Sequence, residues 1–66
     1  MSKSYEAIEV EECVRVTGKA ALLRIDDEEH WIPFSNIEDN GDELDEEFSG
    51  TLWLTTWICD QRGIEY

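Results

Sequence analysis

The sequence predicts a mainly β, α+β protein: a small four-stranded antiparallel sheet, curled or closed into an SH3-like barrel, with a short C-terminal helix. Three observations predict it. Apolar and charged residues alternate with a period of two through the first half, and turn-forming clusters break that alternation at short intervals. A cap-and-stop pattern suited to a helix occurs only near the end.

The first strand is expected over Tyr5 to Val16. Ile8 and Val10 alternate with Glu9 and Glu11, and Val14 and Val16 alternate with Arg15. The doubled Glu11-Glu12 and Cys13 between them suit a bend or bulge. Thr17-Gly18-Lys19 is a turn signal, and Ala20 to Ile25 forms a second strand with Ala21, Leu23 and Ile25 on one side. After the polar turn Asp26-Asp27-Glu28-Glu29 a third strand runs over 30–34. Pro33 cannot donate to a ladder, so this strand ends there or lies at an edge. Ser35-Asn36-Ile37 reads as one helical turn that brings Ile37 onto the core.

Residues 38–49 read as one long acidic, irregular loop, with Asn40-Gly41 as a turn pair and only Leu44 and Phe48 apolar. Gly50 to Leu54 is the fourth strand. Thr55 can cap a helix in which Trp57, Ile58 and Gln61 share a side. Gly63 stands where a left-handed C-cap belongs, with Ile64 placed for the accompanying apolar contact. Trp31, Trp53 and Trp57 are expected to supply much of the core. Their sharper reading, an aromatic binding platform, requires exposed rings.

Length and composition limit the function. The 66 residues read as a single domain, 1–66, and a chain this short buries only about 60% of its unfolded surface. A hydrophobic content of 41% still supports a real core and argues against a disordered acidic tail. Met1-Ser2-Lys3-Ser4 carries no apolar signal segment, and no apolar run is long enough to span a membrane. Cys13 and Cys59 could form one disulfide. Without secretory context two free, buried thiols are expected, and with them a cytoplasmic location.

The charge is the most unusual property. Seventeen acidic residues against five basic ones give −12, and no Lys or Arg lies between Ile25 and Gln61. Direct contact with nucleic acid or an anionic membrane is disfavoured, because both require a basic footprint. A basic partner surface is favoured instead.

Catalytic and metal chemistry find little support in the residues. His30 is the sole histidine, and pairing it with Ser35 and any of many acids carries almost no information. Two cysteines far apart and one histidine do not make a structural zinc site. Asn36, Glu38, Asn40, Gly41, Asp42 and Glu47 fall at EF-hand loop positions. However, the template fails at its first, third and eighth residues, and strands are expected on both flanks. The expectation is a non-enzyme with no cofactor and no metal.

The segment Ile25-Asp26-Asp27-Glu28-Glu29-His30-Trp31-Ile32-Pro33-Phe34-Ser35-Asn36-Ile37 resembles a group of small phage- and prophage-encoded proteins. In that group an Ile-Asp-Gly-Glu-Glu turn leads into Trp-Ile-Pro-x-Ser-x-Ile. Gly50 to Ile58 and Gln61 to Ile64 resemble the end of the same group, so the likeness covers about half of the chain. Asp27 stands where that group has a turn glycine, and Phe34 where it has a polar or basic residue. The resemblance implies a phage origin and so a location in the infected bacterial cytoplasm. By analogy with small acidic phage proteins it suggests an anti-defence role such as anti-CRISPR activity.

The functional expectation is a non-enzymatic inhibitor whose carboxylates imitate DNA phosphates on a basic, nucleic-acid-binding host protein such as a CRISPR effector. The expected contact residues are Asp26, Asp27, Glu28, Glu29, Phe34, Glu38, Asp39, Asp42, Glu43, Asp45, Glu46 and Glu47. The alternative is an accessory module that binds a phage replication or recombination protein, or a homodimer formed through an edge strand and Phe34.

Overall fold

The computed structural model describes residues 4–41 and 44–66. Its strands are β1 (Tyr5–Val10), β2 (Glu12–Val16), β3 (Ala20–Ile25), β4 (Glu28–Pro33) and β5 (Gly50–Thr55), followed by helix α1 (Thr56–Arg62). The mainly antiparallel β architecture with one C-terminal helix is the one the sequence predicts. The strand count differs. Glu11 bends the expected first strand into two pieces that join different sheets, β1 with β5 and β2 with β3 and β4.

That division moves the core position. Cys13 faces inward opposite Leu23, and the register then slips by one residue before Arg15 pairs with Leu22. The bulge leaves Val14 only half-buried while Cys13 is 1% exposed. Both cysteines are free and buried.

Two tight hairpins order the three-stranded sheet. The Gly18-Lys19 turn is closed by a 2.8 Å bond from the Thr17 N–H to the Ala20 carbonyl. The Asp26-Asp27 turn joins Ile25 to Glu28, and both aspartates are left-handed, with φ of 52° and 66°. This conformation matches the right-handed strand twist. β4 is the sheet's edge. The Phe34 N–H bonds to the Lys19 carbonyl at 2.9 Å, which sets the alternation of the ladder and turns the Pro33 nitrogen outward. The missing proline N–H therefore costs the sheet no bond.

The inner faces of both sheets share one aliphatic core: Ile8 and Val10 from β1, Ala21, Leu23 and Ile25 from β3, Ile32 from β4, and Leu54 from β5. A short 3₁₀ turn at Phe34–Asn36 delivers Ile37 to it, as expected. The helix contributes Ile58 and Cys59. Its end is a Schellman motif, with the Ile64 N–H bonded to the Cys59 carbonyl at 2.8 Å, Gly63 at φ 68° and Ile64 buried.

No tryptophan belongs to this core. Trp31, Trp53 and Trp57 are 42%, 49% and 61% exposed, which corrects the expectation that they fill it. Each has a local reason. Trp31 and Trp53 occupy outward positions of their strands, opposite Leu22 and Ala7. Trp57 precedes Ile58 by one helical step, about 100° around the axis, so Ile58 and Cys59 face inward while Trp57 and Gln61 face out. Aliphatic side chains and the two cysteines fill the space between these short strands, and an indole is rarely buried completely.

Candidate carboxylate surface and adjoining groove

Every described acidic residue of the expected contact set is exposed: Asp26 to Glu29, Glu38, Asp39, and Asp45 to Glu47. Asp42 and Glu43 lie outside the described residues. The hairpin places the first four at one end of the three-stranded sheet. The Arg24 carbonyl beside that turn receives the Glu11 N–H at 2.8 Å.

The segment 44–48 is held close to the same end. The Glu47 N–H donates to the Cys13 carbonyl at 2.8 Å, and the Cys13 N–H donates to the Phe48 carbonyl at 2.7 Å. Leu44 is buried and Phe48 packs against the core. The stretch that reads as an irregular loop thus starts with a second 3₁₀ turn at Glu38–Gly41 and is tied to β2 farther on. Burial raises the Cys13 thiol pKa, and nearby Glu46, Asp45 and Glu12 push it further in the same direction. Those three carboxylates therefore share one neighbourhood.

Neutralisation is sparse. Among the described residues the ion pairs are Arg24 with Glu12 and Arg24 with Glu29, each at 3.3 Å. Of the described residues of the expected contact set, only Glu29 is paired. The backbone adds a second feature. Among the described residues, the non-glycine ones with left-handed φ are Asp26, Asp27, Asp39 and Glu47, all of them acidic. Glycine would relieve the steric cost at each, yet each carries a carboxylate.

No family model, curated protein or solved structure matches this chain.

Glu38 and Asp39 stand apart from the hairpin end. They line a groove of about 390 Å³ beside β5, together with Leu44, Phe48, Leu52 and Trp53. Phe34 is half-buried against the core, and a Cβ added to Gly41, which lines that groove, would lie 3.6 Å from its ring. The large exposed apolar groups are instead the three tryptophans and Tyr66. The alternation along β4 and β5 could have marked Trp31 and Trp53 as outward, since Ile32 and Leu54 claim the inward positions.

The segments flanking the EF-hand-like stretch are strands β4 and β5, so the helices of that motif are not there. Among the described residues no group of three or more His, Cys, Asp or Glu is placed to hold a metal. No helix among them is long and apolar enough to cross a membrane.

Proposed function

We propose that this chain is a non-enzymatic, phage-encoded inhibitor that occupies a basic nucleic-acid-binding surface of a host defence protein, such as a CRISPR effector. The observation that carries the reading is the exposed, almost unpaired carboxylate set on an ordered backbone: Asp26 to Glu29 at the hairpin end and Asp45 to Glu47 tied to β2. Carboxylates fixed on turns can stand in for phosphates, and residues 26–60 contain no Lys or Arg to oppose them. A Lys/Arg-lined groove would be steered to such a face quickly, with affinity that falls as salt rises.

The test is capture of partners from a host-bacterial lysate by tagged protein, washed at low and at high salt. A nucleic-acid-binding protein should be retained at low salt, released at high salt and competed away by free DNA or RNA. Changing Asp26, Asp27 and Glu46 to lysine should weaken that capture at least about tenfold, the loss of a few favourable charge contacts at an interface. Unchanged capture by this variant would end the proposal.

One observation favours the second reading, an accessory module or homodimer. β4 is an open sheet edge, and Trp31 projects from its outer face beside Leu22. Self-association must overcome −12 on each copy. Salt-resistant association abolished by Trp31→Glu would transfer the assignment to this reading.

A further inference from the structure

The groove beside β5 combines carboxylate and aromatic side chains. Glu38 and Asp39 line it, and neither has an ion pair among the described residues. The half-exposed indole of Trp53 lines the same groove, with the partly buried Phe48 and Leu52 adding apolar surface. The volume, about 390 Å³, lies at the lower end of the range for ligand sites.

Strand pairing places Trp53 and Thr51 on this groove. Trp53 is opposite Ala7 on the outer face, so no large cross-strand neighbour covers its ring. The Thr56 N–H bonds to the Ser4 carbonyl at 2.9 Å, which sets the ladder phase and directs the Thr51 backbone groups away from β1, toward the groove. Among the described residues, this edge is bridged at its far end, by Ile37 to Leu54.

Carboxylates and an aromatic ring lining one groove suit a flat cation. A guanidinium can donate paired hydrogen bonds to a carboxylate while its face stacks on an indole. An ammonium is a compact, strongly hydrated point charge and gains less from the ring. Neutral apolar groups would leave Glu38 and Asp39 unanswered, and a second copy of this chain would bring further negative charge.

We infer that this groove is an arginine-side-chain pocket, in which Glu38 and Asp39 receive the guanidinium and Trp53 stacks on it. The ligand class rests on the basic-partner reading above. Within that reading, the pocket separates recognition of one partner arginine from diffuse charge attraction at the hairpin end.

The pocket can be tested on the full chain without any partner. Amide and indole N–H resonances are followed by two-dimensional NMR during titration with Nα-acetyl-arginine N-methylamide, with the lysine and norleucine derivatives as controls. Saturable shifts are expected at the Trp53 indole, Gly41 and Thr51, with a Kd of roughly millimolar order. The lysine derivative should bind at least about threefold more weakly, and norleucine not at all. The isosteric pair Glu38→Gln and Asp39→Asn should weaken arginine about tenfold, and Trp53→Leu, which keeps apolar bulk, about fivefold.

Shifts that grow without saturating, or that are as large at Asp26 to Glu29 as in the groove, would overturn the pocket. So would indifference to these variants in protein whose spectrum remains that of the folded chain. If arginine saturates the groove and no basic partner is captured from lysate, the inhibitor reading falls and the pocket stands. If a salt-labile partner is captured equally well by Trp53→Leu and arginine does not bind, the pocket falls and the inhibitor reading stands.

Discussion

Asp27 shows how one residue can serve conformation poorly and charge well. Its φ of 66° follows Asp26 at 52° in a tight hairpin turn, where an Asp-Gly pair is strongly preferred. Asp27→Gly should therefore raise stability by roughly 0.5–1 kcal/mol, read as a higher urea midpoint, because it removes left-handed strain and one repelling charge. An unchanged or lower midpoint would show that the aspartate side chain supports the turn. Cys13 and Cys59 respond to pH in a calculable direction. Both thiols are pushed above their ordinary 9.0, first by burial and then by neighbouring carboxylates, Glu46 for Cys13 and Glu6 for Cys59. A raised folded pKa gives stability that is complete below the unfolded value and is lost as pH rises through the folded one. The urea midpoint should thus fall above about pH 9, less steeply in Cys13→Ala, and neither native thiol should react with a thiol reagent near pH 8.

At the scale of elements, Thr55 joins strand to helix through both roles of one hydroxyl. It accepts from the Ile58 N–H at 3.2 Å, capping α1, and donates to Asn36 Oδ1 at 2.8 Å, fastening the 3₁₀ turn to the end of β5. The residue is buried, so neither partner is readily replaced by water. Thr55→Ala should cost about 1–2 kcal/mol in chemical denaturation, the upper part of the range for a lost N-cap. Thr55→Ser, which retains the hydroxyl, should recover most of it. A helix of seven residues has little stability of its own, so the cap, the Schellman ending and the buried Ile58 and Ile64 must act together. The bend at Glu11 works similarly for the sheets: one residue ends the β1 pairing with β5 and starts the β2 pairing with β3.

The whole molecule carries its charge as a standing stress. Most of the acidic set is exposed and unpaired, and repulsion across a small body acts at distances that salt can screen. Raising ionic strength from about 0.01 M to about 0.15 M shortens the screening length from about 30 Å to about 8 Å. The thermal midpoint should rise over that interval, while association with a basic partner should weaken. These opposite responses separate self-repulsion from partner attraction with one variable. A thermal midpoint insensitive to salt would mean that the carboxylates are too far apart, or too well hydrated, to strain the fold.

The alternation in Ala20 to Ile25 makes the core face of β3 legible from sequence, because period-two patterning follows directly from strand geometry. The helix ending was equally legible, since Gly63 and Ile64 are local signals read within one turn. The net charge and the base-free span are properties of composition and need no fold at all. The Glu11 division, the inward turn of Cys13 and the outward tryptophans depend on which strands pair, and pairing joins residues far apart in the chain. The groove depends on it most. Glu38 and Asp39 meet Trp53 only because the Ile37–Leu54 bridge draws the second 3₁₀ turn against β5. Sequence by itself determined how much negative charge there is and which local segments form; tertiary pairing decided which carboxylates stand beside an aromatic ring.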